Sequence, residues 1–159
     1  MLDGKVVASL DLIDQAKYVD NLHYAEKLVQ ICKHCGFEGY LMNFEVKIHD
    51  TEVLIEWLAY LRMRLHDEIE GAELMWYDSV THSGDLKWQS ALNEHNYRFM
   101  EVSDSFFTDY HWTPKNLEVT LTTFLENFPD RNSFSVYFGN DCYGRGTYGG
   151  GGYDVYKAL

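Results

Sequence analysis

Four short apolar runs, each ending in polar residues and separated by segments of helical spacing, constrain this chain more than any other feature. The runs are Phe37–Glu45, Ala72–Asp78, Ser105–Tyr110 and Ser133–Gly139. Before the first lies Tyr18–Cys35, with Leu22, Ala25, Leu28, Val29 and Cys32 at helical spacing and Gly36 placed to stop the helix. After it, Asp50 or Thr51 caps a helix whose buried stripe is Val53, Leu54, Trp57, Leu58 and Leu61. A short helix is expected over Leu86–Asn93. Thr113-Pro114 opens a further helix carrying Leu117, Leu121, Phe124 and Leu125. Strands alternating with helices in this way form βαβ units, and βαβ units form a parallel sheet.

Each run ends in groups capable of chemistry: Asn43 and Glu45, Tyr77 and Asp78, Asp109 and Tyr110, Asn140 and Asp141. A doubly wound sheet gathers ligands at one switch point. Contributions from four successive strand tips fit a barrel mouth better. A full (β/α)8 barrel needs eight strands and about 250 residues. The expected fold is therefore α/β: a partial (β/α)8 TIM barrel with about four parallel strands, residues 1–159 forming one domain that is a fragment of such a barrel. Residues 144–152 hold six glycines. They lack GxGxxG before a helix, so they predict a βα-type loop and no dinucleotide site.

The totals narrow the class of ligand. With 25 acidic and 13 basic residues the formal charge is -12. Nucleic acid and anionic membrane surfaces call for the opposite sign, whereas a neutral ligand is compatible. Aromatic residues make up 16% of the chain, which suits stacking on sugar rings, although most of them are expected in the core. Cys32, Cys35 and Cys142 are too few for a disulfide framework. No basic-then-apolar leader opens the chain and no apolar run reaches membrane length. The expected compartment is the reducing cytosol. Cys32-Lys33-His34-Cys35 has no second ligand pair at zinc spacing, so it is read as structural. No metal and no cofactor are expected.

Residues two apart in a strand share a face, so Asn43 and Glu45 stand side by side with Phe44 packed behind them. Glu45 is either a general acid, in the apolar setting where a carboxyl holds its proton for donation, or a structural carboxylate at the rim. Asn43 is either an orienting group or a partner for loop backbone. Retaining glycosidases use two carboxylates about 5–5.5 Å apart. A carboxamide cannot be that second nucleophile, but substrate-assisted enzymes use the sugar's own 2-acetamido group.

Gly39-Tyr40-Leu41-Met42-Asn43-Phe44-Glu45 resembles the catalytic strand of the cytosolic endo-β-N-acetylglucosaminidases of glycoside hydrolase family 85. The resemblance runs on through Trp76-Tyr77-Asp78-Ser79, Ser83–Gln89, Asn93–Asn96, Phe106–Tyr110 and Gly144-Arg145-Gly146. It implies cleavage of the β-1,4 bond in the N,N'-diacetylchitobiose core of N-glycans, with retention and an oxazoline intermediate. The implied substrates are N-glycans, glycopeptides or free oligosaccharides. Glu45 matches the acid/base, Asn43 the residue orienting the acetamido group, and Tyr77 a hydrogen-bonding tyrosine of the site. Trp88 and Trp112 match aromatics on the acceptor side, and Asp78 is placed with the substrate-binding groups, fixing Tyr77 or a loop. The first strands and the closing strand of the family's barrel have no counterpart here. Uncovered barrel edges predict weak or dimer-dependent folding and self-association. The alternative function is a non-catalytic glycan-binding or scaffold fragment.

Overall fold

Apolar runs this short pair only when helices bring the chain back to the same end of the sheet after each one. The computed structural model describes residues 5–6, 18–144, 146–148, 150 and 152–158. The expected absence of a leader, the Arg145 match and part of the glycine-rich loop lie outside them. The strands are β1 (Lys5–Val6), β2 (Gly39–Met42), β3 (Glu73–Tyr77), β4 (Ser105–Phe107) and β5 (Val136–Tyr137). The helices are α1 (Tyr18–Cys35), α2 (Thr51–Glu68), α3 (Tyr97–Glu101) and α4 (Pro114–Asn127), with 3-10 turns at Ser133–Ser135 and Gly152–Ala158.

All neighbouring strands are parallel and their spatial order is their chain order, β1-β2-β3-β4-β5. A doubly wound sheet would reverse that order. Sequential order keeps every helix on one face, as in a barrel wall. Among the described residues β1 and β5 each have one neighbour, so the sheet is not closed. The four expected strands all form, and β1 adds a fifth that was not read from sequence.

Side chains alternate across the sheet. Tyr40, Met42, Phe44, Leu74, Trp76 and Phe106 join Ala25, Val29, Cys32, Leu54, Leu58, Leu61, Leu65 and Phe99 in one apolar core beneath the helices. Burying each large side chain stabilises by roughly 1.5–3 kcal/mol. Trp76 lies between Phe44, at 5.5 Å between ring centroids, and Phe99, at 4.2 Å and nearly parallel. Gly39 sits where β2 passes closest to β3: a Cβ there would stand 1.8 Å from the Glu73 carbonyl oxygen, so no other residue fits.

Two expectations are corrected. Leu86–Asn93 is not helical; the short helix falls later, at Tyr97–Glu101. The Gln89 N–H is taken by the Asp78 carboxylate and the Asn93 N–H by Asn96 Oδ1, which removes the donors an i→i−4 ladder needs. The stripe Leu117, Leu121 and Leu125 does not face the core. α4 packs through Phe124 and through Thr120, whose hydroxyl accepts the Leu92 N–H, leaving those three leucines exposed near the open edge.

At the opposite end of the sheet from the polar tips, Asp104 joins α2 and β3 to the segments on either side of β4. Its carboxylate accepts the Leu74 N–H at 2.8 Å and pairs with Arg62 and His66 of α2 at 2.7 and 2.9 Å. Arg131 meanwhile donates to the carbonyls of Met100 and Ser103. Burial opposes ionisation of Asp104, but these donors outweigh it and hold the carboxyl below its usual range. Its stabilisation is therefore present above the ordinary aspartate value and lost as pH falls through the lowered one. Asp104→Ala leaves the Leu74 N–H, the Arg62 guanidinium and the His66 ring without their acceptor and is expected to cost about 1–3 kcal/mol. Urea unfolding at neutral pH measures this, and the difference from the unsubstituted chain should shrink in acid.

Candidate functional site

The segments following β2, β3 and β4 meet above the strand ends. Asn43 and Glu45 lie just past the last residue of β2, yet they keep a common side: Asn43 Nδ2 donates to Glu45 Oε1 at 3.1 Å. Asn43 is buried, and its Oδ1 meets no donor among the described residues. Glu45 is exposed. The dry setting expected around it is not formed here, because the residue stands on the loop rather than within the strand.

The excursion between β3 and α3 is pinned to that loop at several points. Ser79 Oγ donates to the Phe44 carbonyl at 2.7 Å, Thr51 Oγ1 to His82 O at 2.7 Å, and Ile48 N to Gly84 O at 2.8 Å. Gly84 has φ +87°, and a Cβ there would lie 2.1 Å from Ile48 O, so the contact requires glycine. Asp78 holds the excursion from within. It is fully buried and accepts the Gln89 N–H and the Asn96 Nδ2–H, each at 3.0 Å. Asn96 Nδ2 also donates to Ala91 O at 2.8 Å. Burial pushes the Asp78 carboxyl up to about 7, against the pull of its Asn96 and Gln89 donors.

These loops enclose a cleft of about 550 Å³, a volume typical of small-molecule sites. Glu45, Tyr77 and Trp88 line it together. So do Asp109 and Tyr110, which the sequence marked as a strand tip, and Ser90 and His111, which it did not. Burial raises the Tyr77 phenol well above its ordinary value, and the hydrogen bond with Tyr110 acts in the same sense, so the group stays a hydroxyl. Trp88 is 41% exposed and turned to the cleft rather than the core. Asp109 is buried; its Oδ1 accepts the His111 N–H at 3.2 Å and its Oδ2 lies 3.1 Å from His111 Nδ1. Ser90 has φ +55°, a conformation rare outside glycine and concentrated at functional sites.

Three sequence candidates, Asn43, Asp78 and Trp112, lie outside the lining, Asn43 buried beside Glu45. Asp78 is directed into the support of the wall. Trp112 is buried, donates its Nε1–H to Gly139 O at 2.7 Å, and packs against Phe138 and Tyr148. Asp109 and Tyr110 were legible as a strand tip, and His111 adjoins them. The Ser90 backbone had no sequence signal. Cys32 is buried and donates to Phe37 O, while Cys35 is exposed. Among the described residues no group of three His, Cys, Asp or Glu is arranged to hold a metal ion, and no helix is long and apolar enough to cross a membrane.

The model of glycosyl hydrolase family 85 matches residues 6–159. The cytosolic endo-beta-N-acetylglucosaminidase of Danio rerio is 38% identical over 162 residues, covering 99% of this chain and 22% of that protein. Its Homo sapiens counterpart is 40% identical over 137 residues, covering 85% and 18%. The chain thus spans about a fifth of the length of these relatives. The glycoside hydrolase domain of Endo-D from Streptococcus pneumoniae superimposes with a TM-score of 0.69 at 22% identity, over 90% of this chain and 25% of that one. That likeness supports the barrel-type fold.

Asp78 has a raised folded-state pKa, so its contribution to stability is full below the ordinary aspartate range and is lost as pH rises through about 7. Comparing unfolding free energies of the chain and of Asp78→Asn from pH 4 to 8 isolates this group. The unsubstituted chain should lose ground relative to the variant as pH rises. Asp78→Ala should also speed hydrogen exchange across residues 87–96, because two buried donors lose their acceptor.

Proposed function

The chain belongs to glycosyl hydrolase family 85, and we propose that it carries the catalytic centre of an endo-β-N-acetylglucosaminidase acting on the N,N'-diacetylchitobiose core of N-glycans. Residues 1–159 are then one piece of a barrel catalytic domain. Glycopeptides and free oligosaccharides with that core are its substrates. The cytosolic setting named for the relatives carries over as part of this reading.

The observation that carries the proposal is the Asn43–Glu45 pair: a neutral amide hydrogen-bonded to a carboxyl, its own carbonyl oxygen unpartnered, at the edge of an aromatic-walled cleft. Glu45 protonates the glycosidic oxygen as the bond from the anomeric carbon breaks. The carbonyl oxygen of the 2-acetamido group attacks that carbon from the opposite face, closing an oxazolinium ring. Asn43 Oδ1 accepts the acetamido N–H and so raises the nucleophilicity of its carbonyl without placing a full charge beside it. Tyr77, kept protonated, donates a hydrogen bond to the developing intermediate. Water then loses a proton to Glu45 and opens the ring on the original face, so configuration is retained. Trp88 supplies an apolar face for the departing sugar; Trp112, packed against Phe138, supports the same side. Nucleophile and acid come from the substrate and Glu45, so the reaction needs no metal or cofactor.

The open β5 edge and the exposed Leu117, Leu121, Leu125 and Phe134 lead us to expect concentration-dependent self-association in sedimentation velocity. The test of function is a high-mannose glycopeptide followed by mass spectrometry. The expected product keeps one N-acetylglucosamine on the peptide, and Glu45→Gln should abolish it. Asn43→Ala should abolish hydrolysis too, yet still consume a preformed oxazoline donor; normal hydrolysis by Asn43→Ala would rule out substrate assistance. No cleavage by a cooperatively folded chain would favour a non-catalytic glycan-binding fragment.

A further inference from the structure

The mechanism leaves two residues of the cleft without a role. Asp109 is almost completely buried, with its side chain 6% exposed, whereas the side chain of His111 is 59% exposed. The carboxylate grips the histidine at two points, through the backbone N–H and through Nδ1. A carboxylate oxygen offers lone pairs only, so the Nδ1 facing it carries the proton. Whenever the ring is neutral, Nε2 holds the lone pair, and among the described residues it has no protein partner. His111 lines the cleft together with Trp88 and Glu45.

A buried group that fixes the tautomer and direction of an exposed imidazole matches the way oriented histidines are built elsewhere. Here the surrounding surface names the ligand class. Trp88 offers a flat apolar face, and sugars present hydroxyl donors around the edge of a ring that such a face covers. Resting on the glycosidase reading above, we infer that His111, held by Asp109, is a specificity-determining residue: its Nε2 accepts a hydrogen bond from a hydroxyl of the sugar lying against Trp88, on the acceptor side of the scissile bond. A site that reads a hydroxyl in this way discriminates against sugars lacking it, because the acceptor would be left unmatched.

The experiment uses the chain labelled with ¹⁵N-histidine, and methyl β-N-acetylglucosaminide as probe. Long-range proton–nitrogen spectra should show the Nδ1–H tautomer for His111, with the Nε2 resonance moving as the sugar is added. His111→Ala should weaken binding about five- to tenfold, the effect of one lost hydrogen bond, and His111→Gln should restore part of it through its carbonyl oxygen. Asp109→Asn removes the lock on the tautomer and should populate the Nε2–H form. In turnover, His111→Ala should raise KM for the glycopeptide with little change in kcat. An Nε2–H tautomer in the unsubstituted chain, no His111 response up to the solubility limit of the sugar, or unchanged affinity in His111→Ala would each overturn the assignment. A sugar response at His111 without glycopeptide cleavage would reject the hydrolase reading alone. Cleavage with an unchanged glycopeptide KM in His111→Ala would reject this inference alone.

Discussion

The direction of the reactive pair depends on one apolar contact. Phe44 lies between Asn43 and Glu45 in the chain and points the opposite way. Its ring stacks on Trp76, which is itself stacked on Phe99. Because alternate side chains leave opposite faces, anchoring Phe44 in the core turns Glu45 to the cleft and keeps the buried Asn43 beside it. Among the described residues the buried Trp76 Nε1 has no acceptor, a cost of about 1–3 kcal/mol that the packing of three aromatic rings offsets. The order of the site is thus set from the helical side of the sheet, by groups that never meet a ligand.

The two ends of the sheet divide the work. Beneath, Asp104 and Arg131 tie α2, β3 and the segments around β4 through charge-assisted and backbone bonds. Above, Asp78 and Gly84 hold loops against one another while leaving side chains free to face solvent. The lower groups are chosen for satisfied valence. The upper ones leave valences open at Asn43 Oδ1 and on the His111 ring. That contrast between the strand ends is what a barrel wall produces.

Much of this was legible in the sequence because it rests on local periodicity. The parallel α/β layout, the Asp50 cap, which accepts the Val53 N–H, and the juxtaposition of Asn43 with Glu45 all follow from spacing. What escaped depends on contacts distant in sequence. The helix expected over Leu86–Asn93 was lost to the Asp78 carboxylate at the start of the same excursion, and the Leu117, Leu121 and Leu125 stripe to the lack of a facing neighbour in the described residues. Ser90 and the Asp109–His111 grip were invisible for a related reason: neither a positive φ nor a side chain curling back two residues leaves a periodic trace. Positions were therefore read better than orientations, as the burial of Trp112 away from the cleft lining illustrates.

The chain-order pairing of the strands bears on how the molecule is assembled. Each strand joins the one made just before it, and each helix closes over a unit already present. Each such pairing spans one helix and its loops, so the closure cost is similar from unit to unit and none awaits a distant segment. A ribosome delivering this polypeptide would release, at every stage, a piece whose pairing partner is already in place. Besides the outer edge of β1, the growing edge is the one that each new strand covers. Growth by accretion of this sort lets a wall of strands form in the direction of synthesis, without waiting for its last residue.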